Sequence, residues 1–307
     1  MHTFILVLTP DGNKLMFRVY KNLLEIIMSG PSSLVSTEWL LKHINDPSIR
    51  VLDATWYLPN QKNNARVEYK NNHIPGAQYF DIDEIADLNN PLSHMLPSNE
   101  KMSHTLGLMG ISNQDHIIVY DNSNFSSAAR VWFMFRNFGH ERVSILNGGF
   151  KKWCSDNGPV NDIIPHLQST SYVVKKDCDQ IRDINQIKEN IISNKELIVD
   201  ARARGRFLGL TPEPRLGSRS GHIPGSINVP FSELLNKDGT YKEPSIIKKI
   251  FKKNNVSLDK PIITSCGSGI TAFVLLFALN LIGHNDLALY DGSWSEWGSL
   301  TDMPIEK

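Results

Sequence analysis

Apolar residues in this chain come in two rhythms. Short blocks that are apolar at nearly every position, such as 50–55 (RVLDAT), 115–120 (DHIIVY) and 143–146 (VSIL), have the length and β-branched content of strands buried on both faces. Between them lie segments with helical spacing and recognisable ends. Ser36 or Thr37 caps a helix over 38–44 that Pro47 stops, Pro97-Ser98 opens another, and the strongly apolar 126–138 ends at Gly139. Strands alternating with helices predict the α/β class, with parallel sheets flanked by helices and ligands outside the carboxyl ends of the strands.

The same order then recurs. A helix over 183–192 leads to Leu197-Ile198-Val199-Asp200-Ala201, which answers Val51-Leu52-Asp53-Ala54, and Gly221-His222-Ile223-Pro224-Gly225 answers His73-Ile74-Pro75-Gly76. A helix over 245–253, a strand at Ile262-Ile263 and a closing run from Leu287 to Trp297 complete the second copy, at a nearly constant offset of roughly 145 residues. The organisation is therefore an N-terminal extension (1–31), a first domain (32–154), a linker (155–170) with Gly158, Pro159 and Pro165, and a second domain (171–307).

Candidate chemistry concentrates in the second copy. Ser265-Cys266-Gly267-Ser268-Gly269-Ile270-Thr271-Ala272 joins an apolar strand to an apolar helix, with Thr271 as the expected cap, so Cys266 lies at a helix start. Free N–H groups and the helix dipole favour an anion there, which suits a nucleophilic sulfur. The first copy has Asp121 at that position, and a carboxylate cannot carry a transferable sulfur. The second domain is thus expected to be catalytic and the first to supply structure and part of the cleft wall. Asp53 and Asp200, at strand ends, read as acceptors that organise loops.

Charge and cysteine usage narrow the partners. With 32 basic and 32 acidic side chains there is no global field to recruit nucleic acid or an anionic membrane, and neither is expected as a partner. No run reaches the ~18 apolar residues of a membrane span. Cys154, Cys178 and Cys266 are odd in number and widely spaced, so no disulfide framework, metal site or other cofactor is indicated and a reducing compartment fits. The stretch Phe4-Ile5-Leu6-Val7-Leu8 is too short for a signal-peptide core. Residues 14–28 are compatible with a basic amphipathic helix or a weak transit-like segment, and Met28-Ser29-Gly30 with an alternative start, which we prefer. The expected location is cytoplasmic, with the mitochondrial matrix as the alternative.

The paired HIPG segments, the CGSGITA loop, Glu213-Pro214-Arg215 before the second HIPG, and the closing YDGSWSEW resemble the two-domain rhodanese-like sulfurtransferases, most closely the 3-mercaptopyruvate sulfurtransferases among them, from about Ser32 onward. The resemblance implies two tandem rhodanese-like domains, with Cys266 carrying a persulfide between half-reactions. Arg206, in a GRF segment, and Arg215 would bind substrate. Backbone N–H groups of Gly267, Gly269, Ile270 and Thr271 would hold the persulfide. It also implies a Ser, His and Asp relay, for which Ser268 and His73 are the matches, while 61–66 (QKNNAR) offers Asn where an acid is expected.

Thiosulfate-preferring relatives carry basic residues directly after the cysteine, where this chain has Gly267 and Ser268, and its positive charge sits instead among Arg202, Arg204, Arg206, Arg215 and Arg219. The expected donor is 3-mercaptopyruvate, releasing pyruvate, with thiosulfate as the alternative. The expected acceptor is a thiol such as thioredoxin, or cyanide in an assay. A cysteine phosphatase would need arginine at the end of a C-x5-R loop, and that position is Ala272. A non-catalytic persulfide carrier or interaction module remains the reading from another class.

Overall fold

The computed structural model describes residues 32–175, 180–215 and 217–307. The N-terminal extension 1–31 and Cys178 lie outside the described residues. Two five-stranded sheets repeat one topology. The first contains β1 (Leu34–Val35), β2 (Ile49–Asp53), β3 (Gln78–Tyr79), β4 (His116–Tyr120) and β5 (Val143–Leu146) in the order β1-β5-β4-β2-β3. The second contains β6 (Ile181–Arg182), β7 (Leu197–Asp200), β8 (Ile227–Asn228), β9 (Ile262–Ser265) and β10 (Leu287–Tyr290) in the order β6-β10-β9-β7-β8. Every pairing is parallel. All residues of the central strands β4 and β9 are buried, as continuous apolar runs covered on both faces require.

Register decides where chemistry can sit. Asp53 pairs with Tyr120, and Asp200 with Ser265, so each strand-end aspartate stands beside the first residue of the following loop: Asp121 in one copy, Cys266 in the other. Helix ends follow their local signals. Ser36 accepts the Trp39 N–H at 3.1 Å to start Thr37–His43, and Asp183 with Gln186 forms a capping box on Ile184–Ser193.

The helices after β4 and β9, Ala128–Asn137 and Ala272–Leu281, are apolar nearly all round, a pattern that demands burial on every side. They meet across the seam between the copies, with Trp132 edge-on to Phe277 at 4.8 Å and Phe133 against Phe273 at 5.2 Å. Each buried ring contributes about 2–3 kcal/mol relative to exposure. The copies consequently share one continuous core within the compact unit Ser33–Lys307.

The chain leaving the first copy stays on it. Asn161 bridges His73 backbone to backbone, Thr170 donates to the Gly107 carbonyl at 2.9 Å, and Tyr172 Oη lies 3.0 Å from His140 Nδ1. A Cβ on Gly107 would stand 2.8 Å from the Thr170 carbonyl oxygen, so only glycine admits this approach. Among the described residues no helix is long and apolar enough to cross a membrane.

Candidate active site

β9 delivers Cys266 to the carboxyl edge of the second sheet, where its side chain is buried. The Gly269 N–H donates to Sγ at 3.2 Å, and Ser293 Oγ lies 3.9 Å from the same sulfur while accepting the Cys266 N–H at 3.2 Å. Gly269 has φ +74°, a left-handed turn that folds the loop back over the sulfur. The segment after β10 cradles the loop from below: Trp294 donates to the Cys266 carbonyl and Ser295 to that of Gly267. Thr271 does not act as the expected side-chain cap. Its backbone is already helical and its hydroxyl makes no cap bond, while the Val274 N–H closes onto the Thr271 carbonyl at 3.2 Å.

A cavity of about 300 Å³ opens over Cys266. Arg206, Glu213, Arg215, Gly267, Ser268, Ile270 and Thr271 line it from the second copy, and Trp56, Leu58 and Phe125 close it from the first. Gly269 contributes its N–H without lining the cavity.

Of the five arginines in 202–219, two reach this space. Arg202 is fully buried, forked onto Asp200, bonded to Glu213 at 2.9 Å and stacked 4.4 Å over Trp294. Arg204 is exposed, and Arg219 is spent on the carbonyls of Trp297 and Gly298. Arg206 is clamped through Nε and Nη2 to the buried Glu213 carboxylate, with its Nη2 facing Gly267. Arg215 makes no ion pair among the described residues. Burial draws its guanidinium down from the ordinary value, the Cys266 sulfur opposes that, and neighbouring Arg206 reinforces it.

The histidine that meets this loop is not His73. His73 is buried in the first copy with Nδ1 2.7 Å from the Tyr69 carbonyl oxygen and Nε2 3.1 Å from that of Ile163, its ring stacked on Tyr69. His222 repeats the arrangement, with Nδ1 2.8 Å from the Phe207 carbonyl oxygen and its ring stacked on Phe207. Both clasp a chain segment, Asn161 or Glu306, so the HIPG histidines are fasteners of each copy and His73 is corrected from relay to structural residue.

Beside the loop stands His94 instead. Its Nδ1 donates to the Ser268 carbonyl at 2.7 Å and its Nε2 lies 2.9 Å from Asp83 Oδ1, which also accepts from the Trp56 indole at 3.0 Å. Burial pushes the Asp83 carboxyl up, but the His94 and Trp56 hydrogen bonds and the Arg130 charge outweigh it, and the net direction is down. The residue is Asp, as a Ser, His and Asp set requires, but it lies in 81–84 (DIDE) after the HIPG rather than in the Asn-rich loop before it. Sequence reading had no local cue for His94 or Asp83, since the second copy offers no counterpart.

Comparison with known proteins places this geometry. A family model described as the rhodanese-like domain matches residues 36–156 and 183–300. The chain is similar to the 3-mercaptopyruvate sulfurtransferase of Mus musculus, 42% identical over 271 residues that cover 86% of this chain and 91% of that one. It is also similar to the thiosulfate sulfurtransferase of Mus musculus, 44% identical over 272 residues with the same coverage. Among solved structures, SseA of Escherichia coli, a 3-mercaptopyruvate sulfotransferase of the rhodanese fold, superposes with a TM-score of 0.79 at 39% identity, covering 87% of this chain and 100% of that one.

Proposed function

The chain is a sulfurtransferase of the rhodanese-like family, built from two copies of its domain, and on that premise we propose that it takes sulfur from 3-mercaptopyruvate, carries it as a Cys266 persulfide and passes it to a thiol. Identity does not separate the donors, because relatives of both kinds lie equally near. The observation that carries the choice is at Gly267. A Cβ there would stand 2.7 Å from Arg206 Nη2, and Arg206 is not free to step aside because Glu213 holds it. A side chain after the cysteine and a seated Arg206 compete for one place. In this chain the space goes to the arginine, and the cavity's positive charge faces the sulfur from Arg206 and Arg215 rather than from the loop.

That layout suits an α-keto acid carrying a thiol. The unpaired Arg215 guanidinium can fork onto the carboxylate, while Arg206 stands over the ketone. The Cys266 thiolate attacks the donor sulfur and forms an S–S bond as the S–C bond breaks. Its electron pair passes into the adjacent carbonyl as pyruvate enolate, which then takes a proton at carbon. The arginines stabilise the enolate charge as it develops, and the loop N–H groups hold the persulfide. Ser268, half-buried in the cavity wall, and the neighbouring His94–Asp83 pair provide the route for protons. A thiol such as that of thioredoxin then attacks the outer sulfur and regenerates Cys266.

Intact-protein mass after mixing with either donor tests this reading. Faster gain of one sulfur atom from 3-mercaptopyruvate, absent in Cys266→Ser, is expected. Faster loading from thiosulfate would overturn the donor, and no loading from either would favour a carrier.

A further inference from the structure

Arg130 belongs to the first copy, on the helix Ala128–Asn137, and is fully buried. Its two Nη groups are spent on backbone carbonyls, one from each copy: Nη1 donates to Gly269 of the catalytic loop at 2.7 Å and Nη2 to His94. The ionisable groups that face it are Asp291, Cys266 and Asp83, none of which it touches by a hydrogen bond, and the Phe273 ring lies 5.2 Å away. A buried guanidinium with no bonded carboxylate is costly, so packing stability is a poor account of it.

Peptide geometry supplies a better one. In a planar trans peptide the C=O of one residue points opposite to the N–H of the next. His94 holds the Ser268 carbonyl, and the Gly269 N–H on the other side of that peptide points at Cys266 Sγ, 3.2 Å away. Arg130 holds the next carbonyl, that of Gly269, and so turns the Ile270 N–H the opposite way, away from the guanidinium, in a residue that lines the cavity over Cys266. We infer that Arg130 is a positioning residue of the sulfur cradle: by pinning the Gly269 carbonyl from the first domain, it aims the Ile270 N–H at the outer persulfide sulfur.

This rests on the sulfurtransferase reading but not on which donor is used, so rates are read with both 3-mercaptopyruvate and thiosulfate and with cyanide as acceptor. Arg130→Met is expected to lower kcat by about 10- to 100-fold, less than the roughly 100- to 1000-fold of losing an aimed donor outright, because the N–H remains but is no longer aimed. KM should move by less than about threefold, since Arg206 and Arg215 still hold substrate. Loaded Cys266, followed by mass, should lose its sulfur faster than wild type. Failure of wild type to load from 3-mercaptopyruvate alone would sink the donor assignment and leave this inference standing.

Removing Arg130 also leaves Asp291 buried without its facing charge, so a second variant, Arg130→Met with Asp291→Asn, separates the roles. Asn can still accept the Leu96 N–H that Asp291 now receives at 2.9 Å. Thermal stability is expected to return while kcat stays low. Recovery of kcat together with stability would overturn the inference, as would failure of both variants to fold, because either outcome makes Arg130 a structural charge.

Discussion

The loops after β4 and β9 leave the same place in duplicate sheets and meet opposite surroundings. In the first copy Asp121 Oδ2 accepts the Ser127 N–H at 3.0 Å and the Ser123 hydroxyl at 2.7 Å, so the side chain itself fills the anion position at its helix start. Burial pushes that carboxyl up, against the pull of the serine hydrogen bonds. In the second copy Cys266 stands there instead, and the Gly269 N–H is turned onto its sulfur at 3.2 Å. The flanking cations differ as well. Asp121 lines a cavity with Lys151, Lys152, Lys237 and Asp238, and a neighbouring cavity of about 440 Å³ holds Asp53, Glu68 and Lys151, whereas Cys266 faces Arg206 and Arg215. Glu68 is held by the Tyr57 hydroxyl at 2.7 Å and Asn63 at 2.9 Å. The fold offers a helix start in both copies, and side chains decide whether a ligand or the protein's own carboxylate takes it.

The largest test of that contrast moves the nucleophile. Cys266→Ser combined with Asp121→Cys places a thiol in the first loop, where no arginine lines the cavity. Sulfur transfer is expected to stay about a thousandfold or more below wild type. Loading at residue 121, read by peptide mass, would show that the loop suffices without the arginines.

A second test uses the histidines. His94→Asn is expected to lower kcat about 100-fold, as loss of a proton-transfer group does, beside a stability cost of about 1–3 kcal/mol because the Ser268 carbonyl loses its donor. His73→Asn should cost a similar amount, about 1–3 kcal/mol of folding stability, through unmet backbone partners while folded enzyme keeps its kcat. Chemical denaturation beside steady-state rates distinguishes the two, and a matching loss of kcat in His73→Asn would return that residue to the site.

The smallest effect concerns the strand-end aspartates. Asp53 answers Asp200, but its partner is the Thr55 hydroxyl instead of Arg202. Burial raises its carboxyl from the ordinary 3.8 to about 6, against the hydrogen bonds from Thr55. The folded form therefore holds the proton more tightly than the unfolded one. The resulting stability is complete below about pH 4 and is lost as pH rises through about 6, a change of about 3 kcal/mol at most. Asp53→Asn should flatten that dependence in denaturant melts from pH 4 to 8 and leave the variant the more stable form at pH 8. Asp200→Asn should instead destabilise at every pH, because it strips a carboxylate from the buried Arg202.

Much of this was legible in the chain. The helices 126–138 and 245–253 and the strands around Val51, Ile118 and Ile263 follow from apolar rhythm, which reports how each element is buried. The duplication placed Cys266 and Asp121 at matching loop starts. The glycines beside Cys266 and the charge around Arg206 and Arg215 were legible because sequence neighbours build that part of the site. His73 entered the relay only through the family resemblance, and its packing against Tyr69 and its backbone bridge to Asn161 show it to be a fastener. The acid of the relay was sought before His73, whereas Asp83 stands after it.

What the sequence by itself determined was therefore each copy as a unit: its alternation of strand and helix, its parallel sheet, its loop nucleophile or lack of one. Tertiary structure alone decided what one copy does to the other. His94 reaches Ser268 and Arg130 reaches Gly269 across separations of 174 and 139 residues. Those contacts exist because two helices apolar nearly all round must bury against each other, and their docking carries a histidine and an arginine from one copy onto the loop of the next. Periodicity records that a helix face is buried; it does not record against what, and the catalytic loop is finished by that choice of neighbour.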